Sequence, residues 1–146
     1  MLYIDSSALL KLLWQEPESE AVRDDVARED LVIVSSLTEL ETHVQLTAAR
    51  LAGRYGKARW ERFRAKLAEF RVTDPFRFRP LPCSVFETAL RQHGGAARTH
   101  CGTLDVLHLA AMTELDVTRL MTHDAAQARA ARALGFEAVM PGRRAT

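Results

Sequence analysis

Asp5 closes the apolar run Leu2-Tyr3-Ile4, and Asp124 stands just past a second apolar run, Leu120-Met121. Each is placed where a strand gives way to a helix, the edge at which open parallel sheets take their ligands. Glu41 and Asp105 fall instead in the first turns of helices that should begin at that same edge. Carboxylates that converge without counter-charge repel and raise one another's pKa, so a cluster of them points to a cation. Hard oxygen donors with no Cys or His cluster beside them favour Mg²⁺ or Mn²⁺ over zinc. Such a site suits phosphodiester hydrolysis: the cation activates water for in-line attack and steadies charge on the attacking and leaving oxygens. Every acid also has a plainer use. Asp124 can cap the helix after it, Asp105 can favour a helix dipole and Glu41 can be a solvated helical acid. Asp5 is harder to set aside, because Ser6 or Ser7 would cap a helix without it. The chemical reading rests on joint placement.

The elements that carry these acids follow from residue type and period. Leu2 to Ile4 reads as a strand, Ala8 to Leu13 as a short helix broken near Pro17, and Ser19 to Ala27 as a helix turning Ala21, Val22 and Val26 inward. Leu31-Val32-Ile33-Val34 is an uninterrupted apolar run, as for a strand buried on both faces, and Ser35-Ser36 caps the next helix. That helix, Leu37 to Ala52, carries Leu37, Leu40, Val44, Ala48 and Leu51 at helical spacing, which predicts its buried stripe; Gly53 ends it. Glu41 lies on the flank of this stripe in line with Val44 and Ala48, whereas Glu39 shares a line with His43 and Arg50. Glu41 is therefore the better candidate for the interior edge, with Glu39 the competing choice.

Lys57 to Arg71 is a basic amphipathic helix with Trp60, Phe63, Leu67 and Phe70 as a packing line. Phe76 to Leu81 alternates and contains Pro80, an edge-strand pattern, and Ser84 starts a helix that breaks at Gly94-Gly95. Thr103 is the expected cap of a helix with Asp105 in its first turn and Leu104, Leu107, Ala111 and Leu115 inward. A strand at 119–122, an Ala-rich helix at 125–134 closed by Gly135 and a last strand at 136–140 complete the chain. Five strands alternating with helices predict an α/β fold: a three-layer α/β/α sandwich around a five-stranded parallel sheet, in one domain spanning residues 1–146.

Composition bounds the function. The 146 residues are 47% hydrophobic, enough for one real core, and no apolar run approaches membrane-spanning length. An acid at position 5 also argues against a secretion signal, so a cytoplasmic protein is expected, with no membrane partner and with Cys83 and Cys101 as free packing thiols. The net charge of +1 hides a division: residues 1–49 hold 10 acids against 3 Lys or Arg, while residues 50–79 hold 10 Lys or Arg against 3 acids. An acidic cavity beside a phosphate-attracting surface fits that layout, and so does a solvated basic helix.

Four stretches, Tyr3-Ile4-Asp5-Ser6-Ser7-Ala8-Leu9, Ser36-Leu37-Thr38-Glu39-Leu40-Glu41, Thr103-Leu104-Asp105-Val106-Leu107-His108-Leu109-Ala110 and Thr122-His123-Asp124, resemble in order and spacing the four acidic motifs of PIN-domain ribonucleases. The likeness is greatest to VapC-type toxins of bacterial toxin–antitoxin pairs. It implies a Mg²⁺- or Mn²⁺-dependent endoribonuclease whose metal ligands and catalytic acids are Asp5, Glu41, Asp105 and Asp124. It also implies an RNA substrate, a cognate antitoxin and a homodimer. Where the family often has Thr after its first Asp this chain has Ser6, which keeps the hydroxyl, and no further acid closely follows Asp124. His108 reads as a packing residue of its helix rather than a ligand. Arg54, Arg59 and Arg62 suit RNA phosphates or an acidic partner.

Other classes fare less well. An aspartyl-phosphate phosphatase or receiver would need a second acid beside Asp5, which its neighbours do not provide, and the first turn lacks the glycines of a dinucleotide-binding loop. A PIN-like module that binds RNA or protein without cutting is the alternative to an enzyme, and retention of all four acids speaks against it.

Overall fold

The computed structural model describes residues 1–95 and 101–142. Its strands are β1 (Leu2–Ile4), β2 (Val32–Ser35), β3 (Phe76–Arg79), β4 (Arg119–Met121) and β5 (Glu137–Val139). They form one sheet in the order β3-β2-β1-β4-β5, every pair parallel. The helices are α1 (Ser6–Leu13), α2 (Ser19–Ala27), α3 (Ser36–Leu51), α4 (Lys57–Phe70), α5 (Val85–Gly95), α6 (Thr103–Glu114) and α7 (Ala125–Ala133). Because side chains alternate along a strand, Leu2, Ile4, Val32 and Val34 pack with residues of α1 to α4, whereas Tyr3, Ile33 and Leu120 pack with residues of α5, α6 and α7. The three layers predicted from the alternation of elements are therefore present, and β1 is buried along its whole length. β3 is the edge strand that its alternating Phe-Arg pattern and Pro80 indicate.

From β1 the chain builds β2 and β3 on one side, then crosses to build β4 and β5 on the other. The order thus reverses between β1 and β4, and a crevice at such a reversal is the usual ligand position in open α/β sheets. Asp5 follows β1 directly, and Thr122-His123-Asp124 follows β4. Sheet topology alone brings both to the same place.

The orientation of α3 departs from its apolar spacing. Leu40, Val44 and Leu51 are 61%, 54% and 81% exposed, Ala48 is exposed and Leu37 half-buried, while Thr38, Thr42, Leu46 and Ala49 face inward. Threonine can be buried here because its hydroxyls find backbone acceptors: Thr38 Oγ1 donates to Ile4 O at 3.0 Å and Thr42 Oγ1 to Thr38 O at 2.7 Å. A similar rotation affects α6, where Leu104 is 48% exposed and Leu107 and Leu115 only half-buried, while His108 to Met112 are buried. Its N-cap is Gly102 rather than Thr103, which is the first helical residue. Of the two free cysteines Cys101 is buried, but Cys83 is exposed and packs no core. Among the described residues no helix is long and apolar enough to cross a membrane.

Candidate active site

Asp5 is 4% exposed at the end of β1. Its Oδ1 accepts from Ala8 N at 2.9 Å, so Asp5 itself, rather than Ser6 or Ser7, caps α1. Ser7 Oγ reaches Oδ1 and Oδ2 at 2.8 and 2.9 Å, and Thr122 Oγ1 donates to Oδ2 at 2.7 Å. Both hydroxyls accept in turn from the turn after β4: His123 N donates to Ser7 Oγ at 2.8 Å, and Asp124 N to Thr122 Oγ1 at 2.9 Å. The carboxylate is thereby fixed from both strands. Burial nevertheless pushes the Asp5 carboxyl above the usual range, outweighing nearby His108 and the hydrogen bonds from Thr122, Ala8 N and Ser7.

Glu41, one turn into α3, is half-buried, and its Oε2 is hydrogen-bonded to His108 Nε2. His108 Nδ1 lies 2.7 Å from the Tyr3 hydroxyl, which lies 2.6 Å from Ser35 Oγ. Ser35 caps α3 by accepting from Thr38 N at 3.1 Å, as its position before the helix predicts. Burial holds the Tyr3 phenol far above its usual pKa, so it keeps its proton. Glu39 points elsewhere and pairs with Arg71 at 2.5 Å. Glu41, rather than Glu39, is the α3 acid joined to the groups around Asp5.

Asp105 and Asp124 sit in helix starts. Asp105 Oδ2 accepts from Gly102 N at 2.9 Å, and Asp124 Oδ1 accepts from Ala126 N and Gln127 N at 2.7 and 3.0 Å. Burial raises the Asp105 carboxyl, with Asp124 and Asp5 adding like-charge repulsion. The acids therefore feel one another across the edge. The donor set is all hard oxygen, and the bonds above leave Oδ1 of Asp105, Oδ2 of Asp124 and Oε1 of Glu41 to other partners, which fits a divalent cation in chemistry. Among the described residues, though, no three His, Cys, Asp or Glu side chains stand close enough to grip one ion as they lie. To do so the acids must draw closer together.

The residues that sequence reasoning undervalued are hydroxyls and an imidazole. Thr122 precedes His123-Asp124 at the strand end, and that adjacency was its only signal. Tyr3 looks in sequence like an ordinary strand residue. His108 is indeed a core histidine, yet it also carries Glu41.

The family model for the PIN domain matches residues 2–133. The chain belongs to the PIN-domain family. Ribonuclease VapC46 of Mycobacterium tuberculosis is 31% identical over 96% of this chain and 97% of that protein, and the likeness is to the VapC-type ribonucleases within the family. Two solved structures share the fold. One is Mycobacterium tuberculosis VapC20, a sarcin–ricin-loop-cleaving toxin, with a TM-score of 0.71 and 17% identity over 97% of this chain and all (100%) of that one. The other is VapBC2 of Rickettsia felis bound to a DNA fragment from its promoter, with a TM-score of 0.69 and 12% identity over 95% and 98% of the two chains.

This PIN domain also carries a basic helix whose aromatics pack as expected: Leu67 and Phe70 are buried in the core, and Trp60 and Phe63 lie against it. Arg50 and Arg64 each stack on Trp60 at 4.6 Å, Arg54 on Trp14 at 4.8 Å and Arg59 on Phe63 at 5.5 Å. The rings thus hold cations contributed by α3, the turn after it and α4.

Proposed function

We propose that this PIN domain, one domain across residues 1–146, is an endoribonuclease toxin held in check by a cognate antitoxin in the cytoplasm. It hydrolyses RNA phosphodiester bonds with Mg²⁺ or Mn²⁺ held by Asp5, Glu41, Asp105 and Asp124. The observation that supports this reading is the Asp105 carboxyl near the reversal of the sheet, raised by burial and by repulsion from Asp124 and Asp5. A bound cation would relieve that repulsion, activate the attacking water and steady charge on the phosphate oxygens.

The chain's own residues supply position. Asp5 is held by donors on both of its oxygens, so it meets a ligand without reorganising. The first turns of α1, α3, α6 and α7 follow Asp5, Ser35, Gly102 and Asp124, and the positive ends of these helices favour an anionic backbone. The stacked Arg54, in the turn after α3, and Arg59 on α4 suit RNA phosphates or an acidic antitoxin segment.

A homodimer is supported by the surface that α3 leaves in water. Each large apolar side chain left exposed forgoes about 1.5–3 kcal/mol of burial. Leu40 and Val44 on α3, Phe86 and Leu90 on α5 and Leu104 on α6 are all exposed. Val44→Asp should turn a dimer into a monomer in sedimentation velocity, and a wild-type monomer overturns this part.

The non-catalytic alternative has one observation in its favour, the absence of three acids in gripping distance among the described residues. Cleavage of structured RNAs with Mn²⁺ or Mg²⁺, against EDTA and against Asp5→Asn, decides between them. Metal-independent cleavage, or full activity in the variant, sinks the proposed mechanism; no cleavage under any condition favours the binding module.

A further inference from the structure

Glu41 has the longest and most flexible side chain of the four acids, and it starts from a helix rather than from the sheet. Asp5 needs no help, since four hydrogen bonds hold it. Glu41 has one hydrogen-bonding partner among the described residues, His108 Nε2 on α6. His108 is itself 1% exposed and cannot wander. Its ring meets Tyr3 edge-on, with centroids 5.7 Å apart at 75°, and its Nδ1 is 2.7 Å from the Tyr3 hydroxyl.

One assignment of protons satisfies every atom in the series. Thr38 N–H donates to Ser35 Oγ, Ser35 O–H to the Tyr3 oxygen, Tyr3 O–H to His108 Nδ1, and His108 Nε2–H to Glu41 Oε2. The series leaves α3 at Thr38, passes through β2, β1 and α6, and returns to α3 one turn later at Glu41. A histidine that merely filled space would need partners for its two nitrogens. It would not need to receive a carboxylate from the far side of the sheet. We infer that His108, oriented by Tyr3 and Ser35, is the positioning residue of Glu41: it holds Oε2 and leaves Oε1 as the single oxygen offered to a divalent cation.

The inference rests on the reading of Glu41 as a cation ligand. It makes no use of His108 as a ligand or as a proton carrier. Groups that orient a metal-binding side chain characteristically alter metal affinity by about 10–100-fold when removed.

Calorimetric titration of the purified chain with Mn²⁺ alone, without RNA, tests it. His108→Leu removes the donor at similar bulk and should weaken Mn²⁺ binding by about 10–100-fold, whereas His108→Gln, which keeps an N–H, should recover part of the loss. Tyr3→Phe removes one oxygen and frees the imidazole; it should fall between wild type and His108→Leu, and it carries the test if His108→Leu does not fold. In a Glu41→Gln background, His108→Leu should add nothing further. Wild-type Mn²⁺ affinity in Tyr3→Phe and in folded His108→Leu, while Asp5→Asn loses binding, overturns the positioning role. So does a His108→Leu loss that is undiminished in the Glu41→Gln background. If wild type binds no Mn²⁺, or Asp5→Asn leaves binding unchanged, the metal reading has failed first and takes this inference with it.

Discussion

The two halves of the acidic edge are built in different ways. Asp5, beyond its local bonds from Ser7 and Ala8 N, and Glu41 are anchored by groups far off in sequence: Thr122 donates to Asp5 from 117 residues away, and His108 meets Glu41 from 67 residues away. Asp105 and Asp124 are anchored by amides two or three residues away, in the first turns of their own helices. The distant anchors of the first half exist only when the sheet is assembled, whereas the second half's would form at the start of almost any helix. An acid at a helix start thus serves two uses, and in this conformation the capping use is the one satisfied. The oxygens that capping leaves over, Oδ1 of Asp105 and Oδ2 of Asp124, are the ones open to a cation.

The contrast predicts unequal consequences for one and the same substitution. Asp5→Asn should lower RNA cleavage by about 100-fold or more, about 3 kcal/mol of transition-state stabilisation. Folding without metal should survive it, because burial already disfavours the Asp5 charge. Rate measurements paired with thermal melts in EDTA check this. A variant that cleaves RNA at the wild-type rate would break the distinction at its stronger end.

A smaller effect, common to one acid of each half, appears with pH. Asp5 and Asp105 both have carboxyls raised above the ordinary value, Asp5 by burial and Asp105 by burial together with Asp124 and Asp5. When the folded pKa exceeds the unfolded one, the folded state binds more protons between the two values. The stabilisation is fully present below the unfolded value of about 3.9 and is lost as pH rises through the folded value. In EDTA, Asp5→Asn and Asp105→Asn should therefore gain in melting temperature relative to wild type as pH climbs from about 4 towards 7. Saturating Mn²⁺ should reverse the ranking by stabilising wild type alone. If both variants melt below wild type at every pH without metal, crowding is wrong and capping explains these acids.

How far the sequence disclosed this arrangement follows the same division. Strands, layers and the parallel sheet were legible because Leu2 to Ile4 and Leu31 to Val34 are apolar runs bounded by polar caps. The acids were legible because they stand at strand ends and helix starts. The rotation of α3 was not, since its apolar spacing favoured Leu40, Val44 and Leu51 while Thr38 and Thr42 took the core through hydroxyl bonds to backbone carbonyls. Hydrophobic period ranks faces by oiliness and does not see that a buried threonine can be satisfied. Tyr3 and His108 escaped for a related reason: their partners lie on four different elements, and local pattern carries no record of such meetings.

The helix-borne half is sharpened by comparing two substitutions at one position. Asp124→Ala removes the oxygen that Ala126 N and Gln127 N share and should cost about 1 kcal/mol, or roughly 2–4 °C in Tm. Asp124→Asn keeps an accepting oxygen and should change Tm by a few tenths of that. Both should lose Mn²⁺ affinity alike. Equal melting temperatures for the two variants would show that the cap contributes nothing, and the contrast between the halves would then vanish.

The smallest expected effect lies on α3, where two acids stand two residues apart. Glu39 pairs with Arg71 at 2.5 Å on the surface, the arginine side chain half in water. Exposed pairs of this kind contribute about 0.2–1 kcal/mol, so Glu39→Gln should shift stability by less than that and leave Mn²⁺ affinity unchanged. Glu41→Gln should instead weaken Mn²⁺ binding, since its carboxylate is joined to His108 and through it to Tyr3. The pair of titrations needs no RNA and compares neighbours on one helix turn, so differences in folding or purity do not decide it. Loss of affinity in Glu39→Gln with none in Glu41→Gln would exchange their roles and remove His108 from the site.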